Sequence, residues 1–135
     1  ATVTWENWNG KDSRNHPMFG GGIGWFYRDL AGLRADEAGF RTFDVRPVTP
    51  EGLDWVDYTH DTAYGRIGIR WERRKGRFEM RCEVPVGTVA TVWVPFSDAA
   101  PKVEEGPNVR NRGVRDGYAL YEVDAGKYVF KSELK

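Results

Sequence analysis

Two tryptophans and a carboxylate lie close together near the start of the chain, in Trp5-Glu6-Asn7-Trp8. Indole faces stack on the C–H face of a sugar ring, and a carboxylate accepts hydroxyl protons or activates a water molecule. Flanking indoles would also exclude water from Glu6, which raises the pKa of a carboxyl group toward the range useful for acid–base catalysis. The pattern therefore predicts one edge of a sugar site. The alternative is a surface glutamate at a helix start with tryptophans in a core, which composition alone favours.

A second candidate group follows in Ser13-Arg14-Asn15-His16-Pro17. A neutral imidazole at a helix N-terminus can hydrogen-bond a ligand hydroxyl, which makes His16 a candidate sugar contact. His16 also suits a capping or packing role, and Asn15 or Ser13 can simply cap the helix. His60, the other histidine, ends a predicted strand without an obvious partner, and we assign it no function.

Charge and cysteine content exclude several classes of function. Lys+Arg and Asp+Glu both number 20, so the basic excess expected of a nucleic-acid or anionic-membrane partner is missing. The single cysteine, Cys82, cannot form an intrachain disulfide, and its apolar neighbours indicate a core residue rather than a nucleophile. Asp12, Asp36 and Glu37 fall short of a calcium-loop pattern. We therefore predict no metal and no cofactor.

The hydrophobic pattern changes period near residue 36. Apolar residues recur at steps of three and four from Pro17 to Leu33, which predicts a helix, and Asp36-Glu37-Ala38-Gly39 predicts a turn. The later short runs, separated by turn residues, predict a mainly β fold, an antiparallel, jelly-roll-like β-sandwich. The predicted strands are Phe40–Val48, Leu53–His60, Gly65–Arg73, Arg77–Pro85, Thr88–Phe96, Tyr118–Val123 and Lys127–Lys131.

Individual runs add detail to this sandwich. Strict alternation in Arg77–Val84 predicts one apolar and one charged face, and Val89–Val94, apolar on both sides, predicts a central strand. Lys75-Gly76 and Ala125-Gly126 predict tight hairpin turns. The polar stretch Lys102–Arg115 predicts an exposed loop.

Three motifs of the first third belong together: Thr4–Trp8, Ser13–Gly20 and Gly24–Leu33. They resemble the end of the catalytic domain in bacterial α-L-rhamnosidases of glycoside hydrolase family 78. The resemblance continues through Gly39–Pro47, which looks like the transition into the family's C-terminal β-sandwich, and through the terminal Gly117–Phe130 hairpin. Tyr64–Ile67, Trp71 and Val84–Pro95 also match, so the resemblance covers nearly the whole chain.

The resemblance implies an upstream (α/α)6 barrel that removes terminal α-L-rhamnose with inversion, using two carboxyl groups. Glu6 matches the family's Trp-Glu motif and would be the general base, although Asn7 departs from many relatives. Asn15 and His16 match an Asn-His motif that contacts the sugar, and Trp5 and Trp8 would line the rhamnose pocket. The general acid of the family lies upstream and maps to no residue here.

The resemblance also implies a division of the chain and its partners. Residues 1–35 would be the last segment of the barrel, and residues 36–135 the C-terminal sandwich. The partners would be the upstream barrel and a rhamnose-containing glycoside or polysaccharide, and the chain alone should be inactive. The alternatives are a freestanding carbohydrate-binding or structural β-sandwich module, and a related (α/α)6 glycosidase with a different sugar preference.

Overall fold

The computed structural model describes residues 28–35 and 40–135. Residues 28–31 are helical, and ten strands follow. The strands are β1 Leu33–Ala35, β2 Thr42–Val45, β3 Trp55–Thr62, β4 Gly65–Arg74, β5 Arg77–Val84, β6 Val89–Pro95, β7 Lys102–Glu105, β8 Val109–Arg115, β9 Tyr118–Val123 and β10 Gly126–Glu133. No helix in this described part is both long and apolar enough to cross a membrane.

The strands form two five-stranded sheets that enclose one core. Sheet A has the order β1-β2-β6-β9-β8, and sheet B has the order β3-β4-β5-β10-β7. All neighbours are antiparallel except β2 and β6, which are parallel because the chain visits sheet B between them. The predicted antiparallel β-sandwich is therefore confirmed, with one parallel pair added.

The core is built from the inward faces of the two sheets. In β5, Phe78, Met80 and Cys82 are buried, as the alternation predicts, and β4 contributes Ile67 and Trp71 in the same way. Each large apolar side chain buried here stabilises the fold by about 1.5–3 kcal/mol. Strand β6 lies at the centre of sheet A, which confirms the central strand predicted from its two-sided apolar run.

Two hairpin turns carry backbone in the left-handed region. Lys75 (φ 51°) and Gly76 (φ 77°) join β4 to β5, which confirms that predicted turn. Asp116 (φ 52°) and Gly117 (φ 82°) join β8 to β9 in the same manner. Positive φ at both central positions gives a turn whose twist matches that of the paired strands.

The hairpin predicted at Ala125-Gly126 is wrong. Strand β9 lies in sheet A and β10 lies in sheet B, so the chain crosses between the sheets at this point and Gly117–Phe130 is not a hairpin. The Tyr128 hydroxyl donates to the Asp124 carbonyl at 2.8 Å across the corner. Turn residues indicate that a chain reverses, but the pairing partner depends on the register, and β10 pairs with β5 over its whole length.

The loop predicted for Lys102–Arg115 is also wrong, because β7 and β8 lie there. Both are edge strands, β7 of sheet B and β8 of sheet A. The side chains of β7 are exposed throughout, and those of β8 are half-buried only at its start. An edge strand that buries neither face has no apolar alternation, so the sequence pattern did not reveal it.

The predicted helix ends two residues earlier than expected. Gly32 adopts φ +81°, and its N–H donates to the Arg28 carbonyl at 2.8 Å, which is an αL cap that stops the helix after Ala31. Leu33 therefore belongs to β1. The remainder of the predicted helix and the turn at Asp36–Gly39 lie outside the described residues.

Burial of Cys82 predicts a pH dependence of stability. Burial raises the pKa of its thiol to about 12, while the unfolded thiol ionises near pH ~8.5. The stabilising difference is complete below the unfolded pKa and decreases as pH rises toward the folded one. We expect the wild-type free energy of unfolding to fall by about 2 kcal/mol more than that of Cys82→Val between pH 8 and 10. Urea unfolding under reducing conditions measures this, and parallel pH curves would contradict it.

Candidate functional site

The residues predicted to carry chemistry lie outside the described part of the chain. Trp5, Glu6, Trp8, Asn15 and His16 all belong to residues 1–27. Their roles as general base and sugar contacts therefore stay predictions. The described residues nearest to them in sequence begin at Arg28, where a helix end enters the sandwich.

This entry point is a buried junction, which we call the entry seam: residues 28–33 with Arg46–Val48 and Trp71. The Leu30 carbonyl accepts hydrogen bonds from the Val48 N–H at 3.2 Å and from Trp71 Nε1 at 3.1 Å. The Gly32 carbonyl accepts from the Arg46 N–H at 2.8 Å. These bonds connect the helix end to both sheets at once.

Side-chain packing makes the entry seam tight. Leu30, Ala31 and Leu33 are buried in the common core, with at most 6% exposure. At Gly32 an added Cβ would collide with the Arg46 carbonyl group, and its positive φ also disfavours any L side chain. The close approach of two backbones at this point therefore requires glycine.

Two aromatic rings of sheet A pack against Arg46 in the entry seam. The Arg46 guanidinium lies 4.5 Å from the Trp93 ring centroid and 5.0 Å from that of Tyr118. The Tyr118 hydroxyl donates to the Pro47 carbonyl at 2.9 Å. Cation–π contacts of this kind stabilise by about 0.5–2 kcal/mol, so β6 and β9 fix the backbone that bonds Gly32.

An aromatic cluster packs against the first helical residue of the seam, Arg28. The Arg28 guanidinium lies 5.5 Å from the Phe40 centroid, Phe40 lies 4.8 Å from the His60 ring, and His60 stacks with Tyr58 at 6.3 Å. His60 therefore has ring partners that the sequence did not reveal. Burial, helped by the charge of Arg28, lowers its pKa, and burial raises the pKa of Tyr58. Both side chains are neutral at pH 7, which suits packing.

The contacts of the described residues at the seam hold backbone segments together and do not assemble reactive groups. Among them, no group of three or more His, Cys, Asp or Glu side chains is placed to bind a metal ion. The Cys82 thiol is buried and protonated, which agrees with its predicted place in the core. The hydrogen bonds of the seam hold Leu30 and Gly32 in place against the sandwich.

Sequence reasoning missed the seam for a definable reason. Trp71 is buried on the inward face of β4, but the acceptor of its N–H is a backbone carbonyl 41 residues away. Arg46 likewise gains its aromatic neighbours from two later strands. The nearest sequence signal was Gly32 at the point where the helical pattern stops.

The chain is similar to known proteins over nearly its whole length. Residues 32–108 match the family model described as the bacterial alpha-L-rhamnosidase C-terminal domain. The chain is 31% identical to an alpha-L-rhamnosidase of Streptomyces avermitilis, in an alignment that covers 96% of the chain and 14% of the relative. An alpha-L-rhamnosidase of Alteromonas sp. is 27% identical, over 97% of the chain and 15% of the relative.

Solved structures show the same similarity. The crystal structure of the Streptomyces avermitilis alpha-L-rhamnosidase complexed with L-rhamnose has a TM-score of 0.71 at 29% identity, covering 95% of this chain and 13% of that one. The alpha-L-rhamnosidase from Dictyoglumus thermophilum has a TM-score of 0.71 at 30% identity, covering 89% and 14%. The chain thus spans only about one seventh of the length of these relatives.

The seam predicts a difference between two buried tryptophans. Trp71 donates its N–H to Leu30, whereas Trp93 Nε1 has no hydrogen-bond partner within the described residues. Replacing either by phenylalanine removes similar bulk, but only Trp71→Phe deprives a buried carbonyl of a donor. We expect Trp71→Phe to lower the free energy of unfolding by about 1 kcal/mol more than Trp93→Phe. Urea titration followed by circular dichroism measures both, and equal losses would refute the seam bond.

Proposed function

We propose a function for this chain because it belongs to the family of bacterial α-L-rhamnosidase C-terminal domains. The chain is the C-terminal part of an inverting α-L-rhamnosidase that hydrolyses terminal α-L-rhamnose from glycosides or polysaccharides. The observation that carries this proposal is the 31% identity to an α-L-rhamnosidase over 96% of the chain. The alignment covers 96% of the 135 residues, which is more than residues 36–135 contain, so it also includes part of residues 1–35.

Glu6 is the general base of the proposed reaction. In an inverting glycosidase a carboxylate activates water on one face of the sugar while a carboxylic acid protonates the leaving oxygen on the other, about 6.5–9.5 Å away. Trp5 and Trp8 border the rhamnose, and Asn15 and His16 contact its hydroxyls. The acid comes from the upstream barrel. The support is the local pattern of indoles around a carboxylate, together with the family relationship.

The two proposed parts of the chain have different tasks. Residues 1–35 close the barrel and carry the base, and residues 36–135 form the sandwich that supports them, to which Leu33–Ala35 adds the edge strand β1. The entry seam supports this division of labour, because Leu30 in the last turn of the helix and Gly32 just after it are hydrogen-bonded into the sandwich. A base 24 residues before Leu30 needs such a fixed end, since a misplacement of about 1 Å can cost ~100-fold in rate.

The isolated 135-residue chain should lack rhamnosidase activity. It contributes one of the two carboxyl groups, and inverting hydrolysis needs both. We expect no release of nitrophenol above background from an aryl α-L-rhamnoside, while the longer enzyme releases it readily. Circular dichroism of the same sample shows that the chain is folded. Turnover by the chain alone would overturn the proposed division of the active site.

The base assignment is testable in the longer enzyme. Glu6→Gln keeps the shape of the side chain but cannot accept a proton, so kcat should fall by about 100- to 10,000-fold with little change in stability. Glu51→Gln, in an exposed loop of the sandwich, is the matched control and should keep normal turnover. Near-normal kcat in Glu6→Gln would show that another residue activates the water.

A further inference from the structure

Sheet A carries large apolar side chains on the face that points away from the core. Trp93 of β6 lies directly opposite Leu120 of β9, and Tyr118 lies two positions before Leu120 on the same strand. The neighbours of this pair along the strands, Val92 and Tyr121, belong to the core cluster, whereas Trp93 and Leu120 do not. Because side chains alternate along a strand, the pair points outward. We call Trp93, Leu120 and Tyr118 the outer patch.

The centre of the outer patch is hidden from water. Trp93 and Leu120 are each only 8% exposed, and the Trp93 Nε1 atom is buried without a hydrogen-bond partner within the described residues. The Tyr118 ring lies 5.9 Å and the Arg46 guanidinium 4.5 Å from the indole, but these are single side chains. All ten strands of the described part are used in the two sheets, so they supply no third layer over this face. The low exposure therefore indicates a further covering segment.

Strand β5 of sheet B shows the pattern of a sheet face that is not covered. Its outward positions are all charged, and none of them is buried. In sheet A, by contrast, burial is continuous over residues 92–95 of β6 and residues 119–121 of β9. Strands with one solvated face alternate, whereas strands covered on both faces have continuous apolar runs. The difference between the two sheets indicates that sheet A has a second covered face.

The outer patch borders the entry seam through Arg46. The Arg46 N–H donates to the Gly32 carbonyl at 2.8 Å, and its guanidinium lies 4.5 Å from the Trp93 centroid and 5.0 Å from that of Tyr118. The chain before Arg28 therefore joins the sandwich within reach of this face. Strands β1 and β9 are three strand spacings apart, about 14 Å. A helical stretch as long as residues 17–27 spans about 16 Å.

We propose that residues 17–27 pack across the outer patch of sheet A. The last three residues of this segment, Trp25-Phe26-Tyr27, are aromatic, so it carries the apolar surface that the patch requires. Gly20-Gly21-Gly22 adds small residues that let a backbone approach an indole closely. Because the segment is tethered at the seam, its effective concentration is of about millimolar order, which favours it over a second copy of the chain.

This docking gives the outer patch a positioning role. In the proposed function, residues 17–27 connect the base Glu6 to the seam, and the patch would hold that connection at a second surface. The docking itself is a property of this chain and needs no hydrolysis. Loss of the proposed activity therefore leaves it standing, and its failure leaves the activity untouched.

Photocrosslinking of the full 135-residue chain identifies what covers the patch. The photoreactive residue is p-benzoylphenylalanine in place of Leu120, and the crosslinked peptides are mapped by mass spectrometry. We expect an intrachain crosslink to residues 17–27. The same group in place of Val86, which is 82% exposed in the turn after β5, is the matched control and should not capture that segment. A crosslinked dimer, capture of other residues only, or no crosslink would each overturn the proposal.

Amide hydrogen exchange gives a second measurement without a bulky probe. We expect residues 17–27 to exchange at least about tenfold faster in Leu120→Asp than in the wild type, because a carboxylate in the patch disfavours apolar packing. Slow exchange in β4 and β5 of the same sample shows that the sandwich is still folded. Val114→Asp, at a 65% exposed position of β8, is the control and should leave the segment protected. Equal exchange of residues 17–27 in the wild type and in Leu120→Asp would refute the docking.

Discussion

The structure depends on a backbone carbonyl that is buried where the chain enters the sandwich. A buried carbonyl needs a donor, and Leu30 receives two, from Trp71 in sheet B and from Val48 after strand β2. Gly32 lets the next turn approach the Arg46 backbone, where any side chain would collide. The helix end therefore has one permitted position relative to the two sheets, and the packing around it follows from that position.

A fixed junction suits the proposed function, in which residues at the start of this chain share an active site with an upstream barrel. Among the described residues of the sandwich, His60 and Tyr58 are neutral and the Cys82 thiol is buried, which suits packing rather than catalysis. At the seam the sandwich holds the end of the helix in a fixed position. Some of its charges are paired with each other: Arg110 on sheet A lies 2.8 Å from Glu122 and 3.0 Å from Asp124.

The fold was predictable wherever burial leaves a trace in the order of residues. Strands β4 and β5 were found because one face of each is buried, which imposes a period of two. Strands β7 and β8 were missed because edge strands with exposed side chains carry no such period. The corner at Ala125-Gly126 was misassigned because turn residues indicate reversal without indicating which sheet receives the next strand.

The sequence by itself determined the change from helical to strand period, most of the strands, and the resemblance that makes Glu6 and His16 candidates for sugar chemistry. These depend on neighbours within a few positions, which a sequence displays directly. Only the tertiary structure decided the partners of Leu30, Arg46 and His60. Those contacts join residues from different strands or distant segments. Their geometry exists only once strand order and register are set, because register decides which side chains face each other.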